Sequence, residues 1–246
     1  MTDIKITKKQ LEILKLLYKF RFLNRVHIQT LLKHKGPRRI KAWCKDLTNK
    51  KCTGRHYSKK LKENTNPAIY YLGTKSIKIL DNGANKQILK RVYKESKLSK
   101  KMVNHCLTLA DIYFQLTSKF KIVDFYTKTD LLDFEYLPEN KPDAYVAIKD
   151  KTTKRYFLEI IDPKTPRFVI RSVVKKYVDY YQDNTWQDTA KLPFPKIFLI
   201  CLDQKSKNYL KKFIRQILEE EAENNIHFYI SGKNIFKWEN PAVTQR

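Results

Sequence analysis

Apolar residues recur at helical spacing through the first fifty positions, and alternate or run together through much of residues 120–202. Between Thr7 and Tyr18, Leu11, Leu14, Leu17 and Tyr18 share one face, with Thr7 placed to cap. Asn24 is a second cap, followed by Val26, Ile28, Leu31 and Leu32, with Gly36 past the end of that helix. Pro37 opens a third helix at a first-turn position, where its missing N–H does no harm. Ile40, Trp43, Cys44 and Leu47 fall on one side of it, and Arg38, Lys41, Lys45 and Asn49 on the other. Two extended runs follow, residues 51–57 and 68–72, joined by a polar, lysine-rich turn. A short helix from Thr74 to Leu80 ends at Asp81-Asn82-Gly83, and residues 84–98 are polar with few apolar positions, so they read as a connecting helix or linker. The predicted organisation is therefore a domain over 1–83, a connecting segment over 84–98, and a second domain over 99–246.

The second domain opens with a helix over 99–118 whose polar strip is narrow (Asn104, Thr108, Asp111, Gln115), the mark of a helix buried against a sheet. His105 falls toward its apolar side and reads as a core histidine. Strands are predicted at 121–126 and 132–136, then at two apolar runs around Asp143 and Glu159 that flank the polar turn 149–154. A helix over 167–182 turns Val173, Val174, Tyr177, Val178 and Tyr181 inward and places Arg171 and Lys175 on the opposite edge. The run 195–202 is a central strand, followed by a helix over 206–223 and a last strand over 226–230. The fold class is α+β with a mixed sheet.

Charge changes the picture more than composition does. The chain carries 51 Lys and Arg against 25 Asp and Glu, a formal net charge of +26. Residues 1–100 hold 27 basic and 6 acidic side chains, a surplus of 21, while the remaining 146 residues hold 24 and 19, a surplus of 5. A basic module joined to a nearly neutral one is the footprint of polyanion binding. Three short helices followed by a two-stranded wing describe a winged helix-turn-helix, so the expected partner is double-stranded DNA. Arg38, Arg39, Lys41 and Lys45 on the third helix, and Arg55, Lys59, Lys60 and Lys62 on the wing, are the expected phosphate contacts. A membrane surface fits less well, because the basic residues are spread over several short elements with no long amphipathic helix. The N-terminus has no apolar signal core and no stretch reaches the roughly 18 apolar residues of a spanning helix, so a cytoplasmic location is expected. Cys44, Cys52, Cys106 and Cys201 are too far apart for a zinc knuckle and read as reduced, buried thiols.

The chemistry is concentrated between Lys141 and Lys164. Asp143 follows Pro142 at the start of one apolar run, and Glu159 sits inside the other. A carboxylate within an apolar strand needs a partner, and two neighbouring carboxylates commonly share a divalent cation. Alternatively, Asp143 caps a turn and Glu159 pairs with a lysine. The order helix, three strands, helix, strand, helix, strand, with acids on the second and third strands, is the αβββαβ layout of restriction-endonuclease-like domains. Pro142-Asp143 and Leu158-Glu159-Ile160-Ile161 resemble the PD-(D/E)xK nuclease pattern. Together with the winged helix, the His105 helix, the 171–181 helix and the Phe236-Lys237-Trp238 tail, the chain resembles the replication-relaxation family of plasmid and mobile-element proteins, which are similar to relaxases built on a nuclease fold.

That resemblance implies a metal-dependent DNA nickase acting at a plasmid origin in replication or mobilisation, with Mg²⁺ (or Mn²⁺) held by Asp143, Glu159 and, one residue late, Asp162. It also exposes a departure, since Ile161 stands where the pattern places a lysine. Lys164 just past the strand, or Lys175 or Arg171 on the following helix, are the candidate substitutes. Tyr177, Tyr180 and Tyr181 invite a tyrosine nucleophile, but Tyr177 and Tyr181 are predicted inward and no histidine pair exists to hold the metal such a mechanism uses. The alternative function is a replication or transcription regulator that docks by its winged helix and uses a degenerate nuclease-fold domain for homodimerisation or partner binding.

Overall fold

The structure, a computed structural model, describes residues 4–57, 65–220 and 225–241. It divides into two compact units, Met1–Asp111 and Ile112–Arg246.

In the first unit α1 (Lys8–Phe20) is capped as its sequence predicts: Thr7 and Gln10 form a reciprocal capping box. β1 (Leu23–Asn24) leads into α2 (Arg25–Leu31), where the Asn24 side chain accepts from the His27 N–H. α3 (Pro37–Asn49) starts at Pro37 and buries Ile40, Cys44 and Leu47, with Ile13, Leu14, Leu17 and Ile28 completing the core beneath. β2 (Thr53–His56) and β3 (Ile69–Leu72) form the antiparallel hairpin, and β1 adds to its far side to give the order β1-β3-β2. Gly54 lies opposite Tyr71, and a Cβ there would enter the Tyr71 ring. That ring also packs against His56 in a tilted arrangement, with centroids 4.7 Å apart. The short helix α4 (Ser76–Leu80) falls where a helix is predicted, and α5 (Lys86–Leu89) and α6 (Val92–Glu95) occupy the connecting segment. α6 is tied down by Glu95, 2% exposed, which pairs with Arg21 at 3.0 Å and Arg91 at 3.5 Å.

The helix α7 (Lys100–Lys119) begins in the first unit and ends in the second. Then come β4 (Ile122–Thr127), β5 (Ala144–Lys149) and β6 (Thr153–Ile161), an antiparallel meander. α8 (Arg167–Gln182) and α9 (Thr185–Ala190) precede β7 (Lys196–Cys201), and α10 (Gln204–Glu220) precedes β8 (Phe228–Ser231) and the short β9 (Trp238–Glu239). β6, β7 and β8 run parallel, giving one mixed six-stranded sheet in sequential order β4 to β9. Phe157, Ile161, Leu199 and Ile230 bury one face of it against Ile170, Val174 and Tyr177 of α8 and Leu210 and Ile214 of α10.

Two expectations are corrected here. Residues 132–136 are turns, not a strand. The Asp130 carboxylate accepts from the Thr127 N–H at 2.8 Å, and Lys141, 8% exposed, donates to the Phe134 and Leu137 carbonyls at 2.7 and 2.9 Å. Those bonds hold the loop coiled while Leu131 and Leu137 plug the core. Tyr180, left outside the apolar face of its helix by the sequence reading, is 7% exposed and donates its hydroxyl to the Tyr136 carbonyl at 2.8 Å.

Candidate functional site

Register decides whether the two carboxylates meet. β5 and β6 pair Ala144 with Leu158, so one further step sets Asp143 opposite Glu159, on the same face of the sheet. The Asp143 Oδ2 accepts from the Ile160 N–H at 2.8 Å. Glu159 lies deeper, 8% exposed, and its Oε1 accepts from Lys176 Nζ at 2.5 Å and from the Tyr177 hydroxyl at 2.6 Å. Lys176 also donates to the Asn140 carbonyl at 3.1 Å, which ties α8 to the chain entering Asp143.

The electrostatics follow from this burial. Loss of hydration pushes the Glu159 carboxyl up, Asp143 adds to the shift, and Lys176 and Tyr177 oppose it without cancelling it. Tyr177, fully buried, has its phenol held well above its ordinary value, first by burial and then by the Glu159 charge. A phenol so placed is a hydrogen-bond donor to a carboxylate and not an accessible nucleophile.

Of the sequence-predicted residues, Asp143 and Glu159 are brought together. Lys164 is exposed in the turn after β6, with a left-handed φ of 61°. Lys175 is exposed on the outer side of α8. Asp162 lies one residue past β6, its carbonyl accepting from the Thr165 hydroxyl at 2.7 Å. Among the described residues no three of His, Cys, Asp or Glu are gathered as a metal-binding group, so Asp162 does not join the pair. The lysine on Glu159 is Lys176, which the sequence reading missed. It stands three residues after Val173 and four before Tyr180, at the border of the apolar face, where a long side chain can bury its stem and deliver its ammonium to a carboxylate.

Outward of this cluster is an open groove of about 630 Å³, lined by Pro138, Phe168, Arg171, Ser172, Lys175 and Lys176 on one side and by Asp179 and Asp183 further along α8. Lys176 thus reaches from the groove to Glu159. Two carboxylates from adjacent strands match the hard-oxygen chemistry of Mg²⁺, which keeps several waters and needs only one or two protein carboxylates.

In the first unit Arg38, Arg39, Lys41 and Lys45 are all exposed on α3. The acid on that helix, Asp46, is taken by Lys50 and Gln10, each at 2.6 Å, and the Lys50 hydrogen bond is the main cause that lowers its carboxyl. Arg55 is exposed on β2, its guanidinium 5.4 Å from the centre of the Tyr57 ring. Lys59, Lys60 and Lys62 lie outside the described residues.

A mixed α+β chain with a basic helical unit ahead of a six-stranded sheet belongs to the class of nucleic-acid-associated proteins that its charge anticipates. Residues 14–196 match the replication-relaxation family, and the chain belongs to that family. Membership gives it a replication-related, DNA-binding role of the kind found on plasmids and mobile elements. A search of characterised proteins by sequence returned no match. Among solved structures, two mutant forms of Lactococcus lactis ZitR align at 18% identity over 48% of this chain and 78% and 77% of theirs, with a TM-score of 0.28. That score is too low to establish a common fold. No helix among the described residues is long and apolar enough to cross a membrane.

Proposed function

We propose that this protein is a metal-dependent DNA nickase of plasmid replication, a winged helix-turn-helix unit holding duplex DNA and a PD-(D/E)xK-like unit cutting one strand at its origin. The observation that carries the reading is the meeting of Asp143, Glu159 and Lys176, two acids and a lysine in one cluster beside an open groove lined by Arg171 and Lys175. Lys176 supplies from α8 the cation that Ile161 cannot supply from the strand. Asp143 and Glu159 would hold a Mg²⁺ or Mn²⁺ ion, which polarises a phosphate and activates the attacking oxygen when bound. Lys176, the cation bonded to Glu159, offsets charge developing on the scissile phosphate, a role worth orders of magnitude in rate. Arg171 and Lys175 line the approach and hold the neighbouring phosphates.

The regulator reading is favoured by one observation: the Glu159 Oε1 is already satisfied by Lys176 and Tyr177 inside the fold. Nicking of supercoiled plasmid carrying the protein's own origin, with Mg²⁺ or Mn²⁺ and with chelator, separates the two. Metal-dependent nicking is expected from the wild type and not from Asp143→Ala or Glu159→Ala, with Lys176→Ala slowed about 100-fold or more. Tight duplex binding by a wild type that cuts under no metal would sink the enzyme reading and leave a DNA-holding platform.

A further inference from the structure

The sheet of the second unit has a second face, away from α8 and α10. Register sets Val146, Tyr156 and Lys196 in one row across β5, β6 and β7. Leu158, Phe198 and Tyr229 form the next row across β6, β7 and β8. Val146 and Leu158, each 1% exposed, make a dry floor. α7 contributes Leu116, the residue after it contributes Phe120, and the tail contributes Phe236 and Trp238, closing a concave pocket of about 220 Å³.

Three features select an occupant. The walls are rings that reach solvent: Trp238 is 54% exposed and meets Tyr229 edge-on, with centroids 4.7 Å apart. The charge is positive only. Lys154 and Lys196 line the pocket, Lys196 Nζ lies 5.3 Å from the Tyr229 centroid, and among the described residues the lining holds no Asp or Glu. The nearest acid in the tail, Glu239, is held by Lys207 at 2.8 Å and by Lys211. The volume is below the roughly 300–1,000 Å³ of a drug-sized site, which suits one flat ring and not a folded segment.

Aromatic side chains on a sheet face with lysines at the rim are the physical parts of a base-stacking platform, in which rings take the base and cations take the backbone. We infer that this pocket binds single-stranded DNA, one unstacked base entering against Trp238, Tyr229 and Phe198 while an adjacent phosphate meets Lys196 or Lys154. A duplex cannot present a base this way, because its bases are paired and stacked. The site lies on the opposite face from Glu159, so the inference does not rest on nicking. It gives the second unit a hold on a separated strand whether or not it cuts one.

The test is fluorescence anisotropy of the full-length protein with a labelled oligothymidylate, a matched strand of abasic residues, and an unlabelled duplex as control. The wild type is expected to prefer the base-bearing strand over the abasic one, and Trp238→Ala and Tyr229→Ala are expected to lose roughly 5- to 150-fold of that affinity. Trp238→Phe, which keeps a ring, retains most of it. Lys196→Glu weakens both strands. Duplex binding stays at the wild-type level in all four. Circular dichroism checks the fold; if an alanine variant unfolds, Trp238→Phe, Lys196→Glu and the abasic comparison on wild type decide. Equal affinity for abasic and base-bearing strands, or unchanged single-strand binding by folded Trp238→Ala and Lys196→Glu, overturns the proposal.

Discussion

Tyr177 shows how one buried hydroxyl sets the character of a carboxylate. It donates to Glu159 at 2.6 Å from a fully buried position. Tyr177→Phe keeps the ring and removes that donor, so where Glu159 is ionised it should destabilise the protein by about 1.5–3 kcal/mol, the range for hydrogen bonds to charged groups. The penalty should shrink in acid. The Glu159 carboxyl is raised in the fold above its ordinary value of 4.5, so the stability it contributes is fully present below 4.5 and is lost as pH rises through the folded value. Tyr177 limits that loss by favouring the ionised form, so the mutant and wild-type curves should diverge on the alkaline side of pH 4.5 and converge below it. Chemical denaturation across pH measures this. A penalty that is constant with pH would mean the hydroxyl serves packing and not the carboxylate. The acids themselves were legible in the sequence, each being a charge set in or beside an apolar run. Lys176 was not. It is one residue from Lys175, and its assignment turned on whether Tyr180 faces inward, which only the Tyr136 carbonyl on a distant loop decides.

At the scale of elements, α3 carries the DNA argument. Its inner face, Ile40, Cys44 and Leu47, is buried, which forces Arg38, Lys41 and Lys45 outward at the complementary positions. Each of these that neutralises a phosphate contributes about 0.9 to the slope of log affinity against log salt. Replacing Arg38, Lys41 and Lys45 together by alanine should therefore flatten the slope by roughly 2–3 and weaken duplex binding most at low salt. An unchanged slope would move the duplex site off α3. Helices and caps here were read closely from sequence: Thr7, Asn24 and Pro37 begin α1, α2 and α3 because each satisfies or spares the orphan N–H groups of a first turn. The run 132–136 was misread as a strand because its aromatic and apolar residues have strand propensity, which the buried ammonium of Lys141 overrides by holding the loop's carbonyls.

For the whole molecule, the charge asymmetry predicts that holding DNA and cutting it are separable. The basic surplus of 21 sits in residues 1–100, away in sequence from Asp143, Glu159 and Lys176. Asp143→Ala and Lys176→Ala should accordingly bind duplex within about twofold of wild type while losing nicking, since changes at sites without shared partners act independently. A parallel loss of duplex affinity would mean that duplex is held mainly by the second unit. Much of this architecture follows from the sequence alone, because hydrophobic periodicity and capping are local properties that each segment carries with it. The helices of both units, their caps and the apolar strands all grow from such segments. Tertiary structure alone decided the chemistry. Whether Asp143 faces Glu159 depends on a register that one residue's slip would invert. Which lysine reaches them depends on how α8 is rotated against the sheet. Whether aromatic residues from β6, β7, β8 and the tail line one pocket depends on strand pairing. Local periodicity constrains none of these, because each is a distance between residues far apart in the chain.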